Sequence, residues 1–337
     1  MRYILILLSF TFIQFSFAME RVSFNHNGEE RSYLVHIPNT KKESYDLIVG
    51  LHGYTGSASG FEKETTGGFN SYADEKGIIV IYPQGNYFYE KSYSQKGIYV
   101  SSWNHLESLF KINQNTKICN DNAQLSPIFP NCKNKNKDEC FWTSCSNDLG
   151  FIKDIVIRVK KDFPINKTYV MGLSNGGMMA QSAGCEFPEI FDGVINIVGM
   201  QPYELSCIPD KPISLIIYGG ILDKTTPPVS IQSSGGYLYE PLLKTASDWA
   251  KKFKCKENTS YNISKPFNTT ETIFTNCEGG KTITAILNNN SGHSWPGISS
   301  NNGYCRAEIQ SEIIFNECRE INKIEGSRYL LNRIFSQ

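Results

Sequence analysis

A serine between two glycines is the residue best suited to chemistry in this chain of 337 residues. Residues 169–180 read as a β-rich run that ends in Gly172-Leu-Ser174-Asn-Gly176 and passes at once into helix-forming residues. A strand-to-helix turn of this kind exposes the serine hydroxyl above the carboxyl end of a sheet, and the glycines prevent clashes with neighbouring backbone. Ser174 is therefore a candidate nucleophile; the alternative is a glycine-rich loop that happens to carry a serine.

A serine nucleophile needs a base, and the base needs an acid that fixes its tautomer. In a sheet of this kind the partners follow in the order Ser, Asp or Glu, His. The chain has five histidines, and only His293 comes after Ser174. It lies in a turn-forming loop beyond the last predicted strand, at the edge where Ser174 emerges. His293 is the candidate base; the alternative is a solvated loop histidine.

Asp223 is the candidate acid. It follows a predicted strand over residues 213–218, and catalytic groups gather beyond the carboxyl ends of parallel strands. Asp192 and Asp210 precede strands, and Asp248 lies within a predicted helix. The alternative for Asp223 is a turn aspartate that bonds its own backbone.

Acyl transfer also needs N–H donors for the oxyanion of the tetrahedral intermediate. The residue after the nucleophile, Asn175, supplies one candidate amide. The loop after an earlier strand supplies the other, and there Tyr54 is the candidate while His52 shapes the loop.

Strands that alternate with helices predict an α/β fold with a mostly parallel central sheet and helices on both faces. No Pro-rich or Gly/Ser-rich linker divides the chain, so we predict a single domain over residues 19–337. The predicted strands are the run before Ser174 and residues 31–37, 46–51, 77–82, 193–198, 213–218 and 282–287. The predicted helices cover residues 69–75, 175–186, 241–254 and 307–334, with one more that is capped at 147–148 and ends before Pro164.

Residues of about 87–146 have little periodicity and are rich in polar side chains. This stretch is too long for a plain loop, so we predict a disulfide-stapled insertion over one end of the sheet. It forms either a lid or wall of a substrate cleft, or simple decoration. The sequence leaves open how its four cysteines pair: Cys119, Cys132, Cys140 and Cys145.

The first 18 residues have the pattern of a secretory signal: a basic start, an apolar run, and small residues before a cleavage site at Met19. An uncleaved anchor is the alternative, but about 15 apolar residues are short for a span that needs about 20. The ten cysteines fit disulfides in an oxidising compartment. We predict a secreted or periplasmic protein with no membrane span in the mature chain.

The charge balance and the lack of metal-ligand motifs argue against nucleic-acid binding, membrane-surface binding and a metal site. The 33 basic and 33 acidic residues balance, so no basic footprint for nucleic acid or a membrane surface is predicted. The chain has neither a Cys-x-x-Cys nor a paired-histidine motif, and no metal site is predicted.

With these residues in hand, the chain resembles the secreted esterases of the polyhydroxybutyrate depolymerase family, which includes feruloyl and acetylxylan esterases. The resemblance implies an α/β-hydrolase fold, Ser174, Asp223 and His293 as the triad, and no metal or cofactor. It also implies that Trp295 lines the acyl pocket, with loop packing as the alternative. The matching motifs are LHGYTGSASGF (51–61), VIYPQG (80–85), SSWN (101–104), NDLGFI (147–152), GLSNGGMMA (172–180), GGILDKTTPP (219–228) and GHSWPG (292–297).

The same resemblance implies disulfide partners outside the insertion. It pairs Cys185 with Cys207 and Cys255 with Cys277, after which Cys305 pairs with Cys318 by proximity.

The function predicted from the sequence is a secreted serine esterase that works through an acyl-enzyme. Its partners are small or oligomeric esters: hydroxybutyrate oligomers or polyhydroxybutyrate, or feruloyl and acetylxylan-type esters. No linker follows His293, which favours soluble or small esters over a solid polymer. The alternatives are a serine peptidase of the same fold and a catalytically silent secreted binding protein.

Overall fold

The computed structural model describes residues 19–64, 68–92, 97–110, 116–132, 140–297 and 323–335. The predicted signal sequence, residues 1–18, lies outside these residues, as do Cys305 and Cys318. None of the helices in the described ranges is both long enough and apolar enough to cross a membrane.

Ten strands form one sheet in the order β1-β2-β4-β3-β7-β8-β9-β12-β11-β10, and β5 pairs with β6 in a separate hairpin. The strands are β1 (Glu20–His26), β2 (Glu29–His36), β3 (Tyr45–Leu51), β4 (Ile78–Pro83), β5 (Asn86–Glu90), β6 (Ile98–Ser102), β7 (Ile165–Leu173), β8 (Gly193–Ile197), β9 (Ser214–Gly220), β10 (Glu257–Ile263), β11 (Thr269–Thr275) and β12 (Ile283–Asn288).

The six strands from β4 to β12 in this order pair in parallel and form the centre of the sheet. All residues of β4 and β8 are buried, because apolar runs such as Ile-Ile-Val-Ile-Tyr can fill both faces of a covered sheet. The prediction of a mostly parallel α/β sheet is confirmed. Five of the six central strands coincide with predicted ones to within one or two residues, and β7 begins four residues before the run predicted from residue 169.

Antiparallel strands extend the sheet at both edges, and three of them were not predicted. β1 pairs with β2, and β10 and β11 form a hairpin beside β12. Six of the seven residues of β10 are exposed, so this strand lacks the apolar alternation that marks a half-buried strand. Backbone pairing at the edge, rather than burial, defines it.

Helices cover both faces of the sheet, as predicted. Side chains of α4, α5 and α6 pack in one apolar core and those of α1, α2 and α7 in the other. Asn147 caps α4 as predicted, since its side chain accepts a hydrogen bond from the Gly150 amide at 3.0 Å. The helices are α1 (Ala58–Glu64), α2 (Gly68–Lys76), α3 (Leu106–Phe110), α4 (Asp148–Asp162), α5 (Asn175–Glu186), α6 (Leu242–Lys252) and α7 (Lys323–Phe335).

The predicted insertion has more regular structure than its sequence indicates. It contains the β5–β6 hairpin and α3, and its residues Val100, Leu106 and Phe129 belong to a small apolar core that Leu205 and Cys207 join from outside the insertion. Two disulfides staple it, Cys119–Cys140 and Cys132–Cys145, which is the pairing that the sequence left open. Elsewhere the structure contains the Cys185–Cys207 and Cys255–Cys277 bonds.

Candidate active site

Ser174 occupies a strained turn between β7 and α5. Its backbone has φ 56° and ψ −120°, a conformation that L-residues rarely adopt and that cannot continue either element. A Cβ at Gly176 would lie 2.2 Å from the Leu51 carbonyl oxygen, and a Cβ at Gly172 would lie 2.2 Å from the carbonyl of Gly176. Only glycine fits at both positions, which explains the spacing in the sequence.

The three residues predicted to act together lie in hydrogen-bond contact. His293 Nε2 is 2.8 Å from Ser174 Oγ, and His293 Nδ1 is 2.7 Å from Asp223 Oδ2. The carboxylate can only accept, so Nδ1 carries the proton and Nε2 is left to accept from the serine hydroxyl. The Asp223 side chain is fully buried, and only 12% of the His293 side chain is exposed. Asp223 therefore orients the imidazole through Nδ1, and Nε2 is positioned to accept the proton of the Ser174 hydroxyl.

The second oxygen of Asp223 is held by its own turn. Oδ1 accepts hydrogen bonds from the amides of Thr225 at 2.8 Å and Thr226 at 3.0 Å. The contacts expected from both interpretations of this aspartate are present, because one oxygen bonds the backbone while the other faces His293; its role as the acid stays a prediction. These bonds fix the orientation of the carboxylate that faces His293.

Thr226 is a site residue that the sequence analysis missed. Its Oγ1 donates to the Val198 carbonyl at 2.7 Å and lies 3.1 Å from Asp223 Oδ2 and 3.2 Å from His293 Nδ1. Val198 has φ 43°, which is unusual for a β-branched residue, and this conformation accompanies a carbonyl directed at Thr226. The available signal was a threonine three residues after a turn aspartate. That spacing is already explained by the bond from the Thr226 amide to Asp223, so it does not by itself indicate the contact of the hydroxyl with His293.

The segments that carry the two candidate oxyanion donors lie next to Ser174. A Cβ at Gly53 would be 3.6 Å from Ser174 Cβ and 3.4 Å from the Leu173 carbonyl oxygen, so the loop after β3 packs directly on the nucleophile turn. Tyr54 follows in that loop. Asn175 is the first residue of α5, and the first four amides of a helix have no acceptor within the helix. Both predicted donors therefore come from segments that border Ser174.

His52 is buried and neutral at the base of this loop. Its Nε2 accepts from the Gly85 amide at 2.9 Å, and its Nδ1 lies 2.8 Å from the Gly53 carbonyl. Burial lowers the pKa of His52 to about 4. These contacts agree with its predicted part in shaping the loop.

Trp295 lies inside the protein rather than at a cleft surface. Its exposed fraction is 0%, and its ring packs edge-on against Phe61 at 5.7 Å between centroids. It belongs to the apolar core beneath α1 and α7. The side chain supports the His293 loop from within, which is the packing alternative, and we do not place it in contact with a substrate.

No protein-family model matches the sequence. The chain is 24% identical over 276 residues to a poly(3-hydroxyalkanoate) depolymerase C of Paucimonas lemoignei. The match covers 78% of this chain and 52% of the relative, so the chain spans about half the length of the curated relative it matches. Its fold is similar to that of an acetyl xylan esterase from Aspergillus awamori, with a TM-score of 0.54, 15% identity, and 82% and 94% of the two chains covered. The predicted resemblance and the α/β-hydrolase fold are confirmed.

Proposed function

We propose that this chain with the α/β-hydrolase fold is a serine esterase that hydrolyses carboxylic esters through an acyl-enzyme. The observation that carries the proposal is the position of His293, whose two ring nitrogens lie 2.8 Å from Ser174 Oγ and 2.7 Å from Asp223 Oδ2. The similarity to a depolymerase and to an acetyl xylan esterase supports the same reaction class.

In the first half of the reaction Ser174 Oγ attacks the ester carbonyl while His293 Nε2 takes its proton. Asp223 stabilises the imidazolium that forms. The same Nε2 then protonates the leaving alkoxide, so that an alcohol departs and the acyl group stays on Ser174. In the second half a water molecule gives a proton to His293 Nε2 and attacks the acyl carbon. His293 then returns that proton to Ser174 Oγ as the bond between Oγ and the acyl carbon breaks, which releases the acid and restores the serine.

The backbone amides of Asn175 and Tyr54 receive the oxyanion in both tetrahedral intermediates. Donors of this kind act because they are fixed before charge develops, and removing one costs about 100- to 1,000-fold in kcat. Both belong to segments that border Ser174.

We infer two classes of substrate from the names of the two similar proteins: poly(3-hydroxyalkanoate) polyesters and acetyl esters of xylan. The family resemblance of the sequence motifs adds hydroxybutyrate oligomers and feruloyl esters. The described residues contain four disulfides, which persist in oxidising compartments and support export from the cytoplasm. Purified enzyme is to be assayed with hydroxybutyrate oligomers, acetylated xylan and methyl ferulate.

The test of the reaction itself is Ser174→Ala, assayed with a short p-nitrophenyl ester and labelled with a fluorophosphonate probe. We expect loss of turnover and of labelling, with unchanged thermal unfolding. Ser230→Ala, at an exposed serine, is the control and should keep both. The corresponding p-nitroanilide separates esterase from peptidase activity. Turnover by Ser174→Ala, or no labelling and no turnover of any ester by the wild type, would overturn the proposal.

A further inference from the structure

The side chain of Asn175 is bound to a segment that the reaction itself does not use. We name residues 101–105 the brace segment. The Trp103 amide donates to Asn175 Oδ1 at 2.7 Å, and Asn175 Nδ2 donates to the Trp103 carbonyl at 3.2 Å. Nδ2 also lies 3.0 Å from His105 Nδ1. The Asn175 side chain is fully buried, so it anchors its own backbone amide rather than facing a substrate.

The brace segment also holds the loop that carries the second oxyanion donor. The Trp103 indole N–H donates to the His52 carbonyl at 2.8 Å, and the Thr55 amide donates to the Ser101 carbonyl at 2.8 Å. These two bonds flank Tyr54 on both sides. Trp103 has no exposed surface, and its ring lies 4.9 Å from that of His52.

A buried carboxylate fixes the brace segment from its outer side. Asp148 accepts from the Asn104 amide at 2.8 Å and from Ser144 Oγ at 2.9 Å, and it forms an ion pair with Arg31 at 2.7 Å. The Ser144 amide in turn donates to Ser102 Oγ at 2.7 Å. Ser144, in a later part of the same insertion, and Asp148, at the start of α4, therefore hold the brace segment in place.

We propose that Trp103 and the Asn175 side chain are positioning residues that set the distance between the Asn175 and Tyr54 amides. This role rests on the proposed esterase function, because it concerns the oxyanion of that reaction. Donors aligned in advance stabilise the transition state more than the bound ester, and small displacements are costly. Loosening the brace segment therefore lowers kcat and leaves KM nearly unchanged.

The test uses Asn175→Ala, which keeps the backbone donor and removes only the amide bonds, and Trp103→Phe, which keeps an aromatic ring and removes the indole N–H. The control is Trp249→Phe, because Trp249 is equally buried and its indole N–H donates to the Cys207 carbonyl at 2.9 Å, on the side of α6. Each variant is measured for kcat, KM, thermal unfolding, and inhibition by a trifluoromethyl ketone, whose serine adduct carries an oxyanion.

We expect kcat to fall about tenfold or more in Asn175→Ala and Trp103→Phe, since a displacement near 1 Å can cost about 100-fold. The ketone should bind more weakly by the same factor as kcat/KM falls, and Trp249→Phe should change neither. An unchanged kcat in both variants would overturn the positioning role and leave the esterase assignment intact. A higher KM or a lower thermal stability with unchanged ketone binding would do the same. A wild type that hydrolyses no ester would overturn both.

Discussion

The hydroxyl oxygen of Thr226 lies 3.2 Å from Nδ1 of His293, beside the bond that joins the histidine to Asp223. A hydroxyl has one proton, and the Val198 carbonyl at 2.7 Å is its nearest acceptor. The oxygen therefore presents lone pairs to the imidazole N–H. Thr226 thus adds a polar contact to His293 Nδ1 and restrains the ring that moves a proton in the proposed reaction.

Thr226→Val should lower kcat about tenfold, because the imidazole and carboxylate lose one of their restraints while the Thr226 amide still binds Asp223. Thr225→Val is the matched control: its amide also binds Asp223, but its side chain is exposed. Steady-state kinetics on a p-nitrophenyl ester checks this. Equal activity of the two variants would show that the Thr226 hydroxyl has no such role.

Gly176→Ala should destabilise the protein by about 3 kcal/mol or more, since an added Cβ meets the backbone carbonyls of Leu51 and His52 rather than a flexible side chain. Gly235→Ala serves as control, because the nearest atoms to a Cβ there are 3.7 Å away. Denaturant unfolding of both variants gives the comparison. A midpoint for Gly176→Ala close to that of the control would contradict the close approach of the turn to β3.

The catalytic candidates could be predicted because chain order and strand ends are readable in a sequence. One histidine follows Ser174, and one aspartate between the two lies beyond a strand. The central strands were predictable for a similar reason, since a continuous apolar run such as β4 can only be buried.

Other features depend on contacts between distant segments, which no local pattern encodes. The bonds from Trp103 to His52 and Asn175 join residues 51 and 72 positions apart. β10 is an exposed edge strand without alternation, and the insertion is ordered by disulfides and a small core. Trp295 follows His293 by only two positions, yet its side chain lies in the core, because the direction of a side chain in an irregular loop is set by packing and not by sequence distance.

The buried ion pair between Arg31 and Asp148 should contribute more to stability than an exposed ion pair does. Arg31→Met leaves a carboxylate that is fully buried without its cation, which should cost about 3–5 kcal/mol of unfolding free energy. Arg328→Met removes an exposed pair with Glu75 and should change little. Urea unfolding at neutral pH distinguishes them. Similar losses in the two variants would mean that the buried pair contributes no more than a surface pair.

Acid should destabilise the protein partly through His52. Burial holds its pKa at about 4, below the ordinary 6.5, so between these values the unfolded chain binds a proton that the folded chain does not. The stabilising contribution is complete above pH 6.5 and is lost as the pH falls towards 4, which amounts to about 2–3 kcal/mol between pH 7.5 and 4.5. Burial lowers the pKa of His105 to about 3 and acts in the same direction.

His52→Gln removes the titrating group while its side-chain oxygen can still accept from the Gly85 amide. The variant should therefore lose less unfolding free energy than the wild type between pH 7.5 and 4.5, whatever its stability at neutral pH. Urea unfolding at several pH values within this interval measures the difference. Parallel curves for the two proteins would mean that His52 takes up a proton without loss of the fold, and that the loop beneath Ser174 accommodates a charged imidazole.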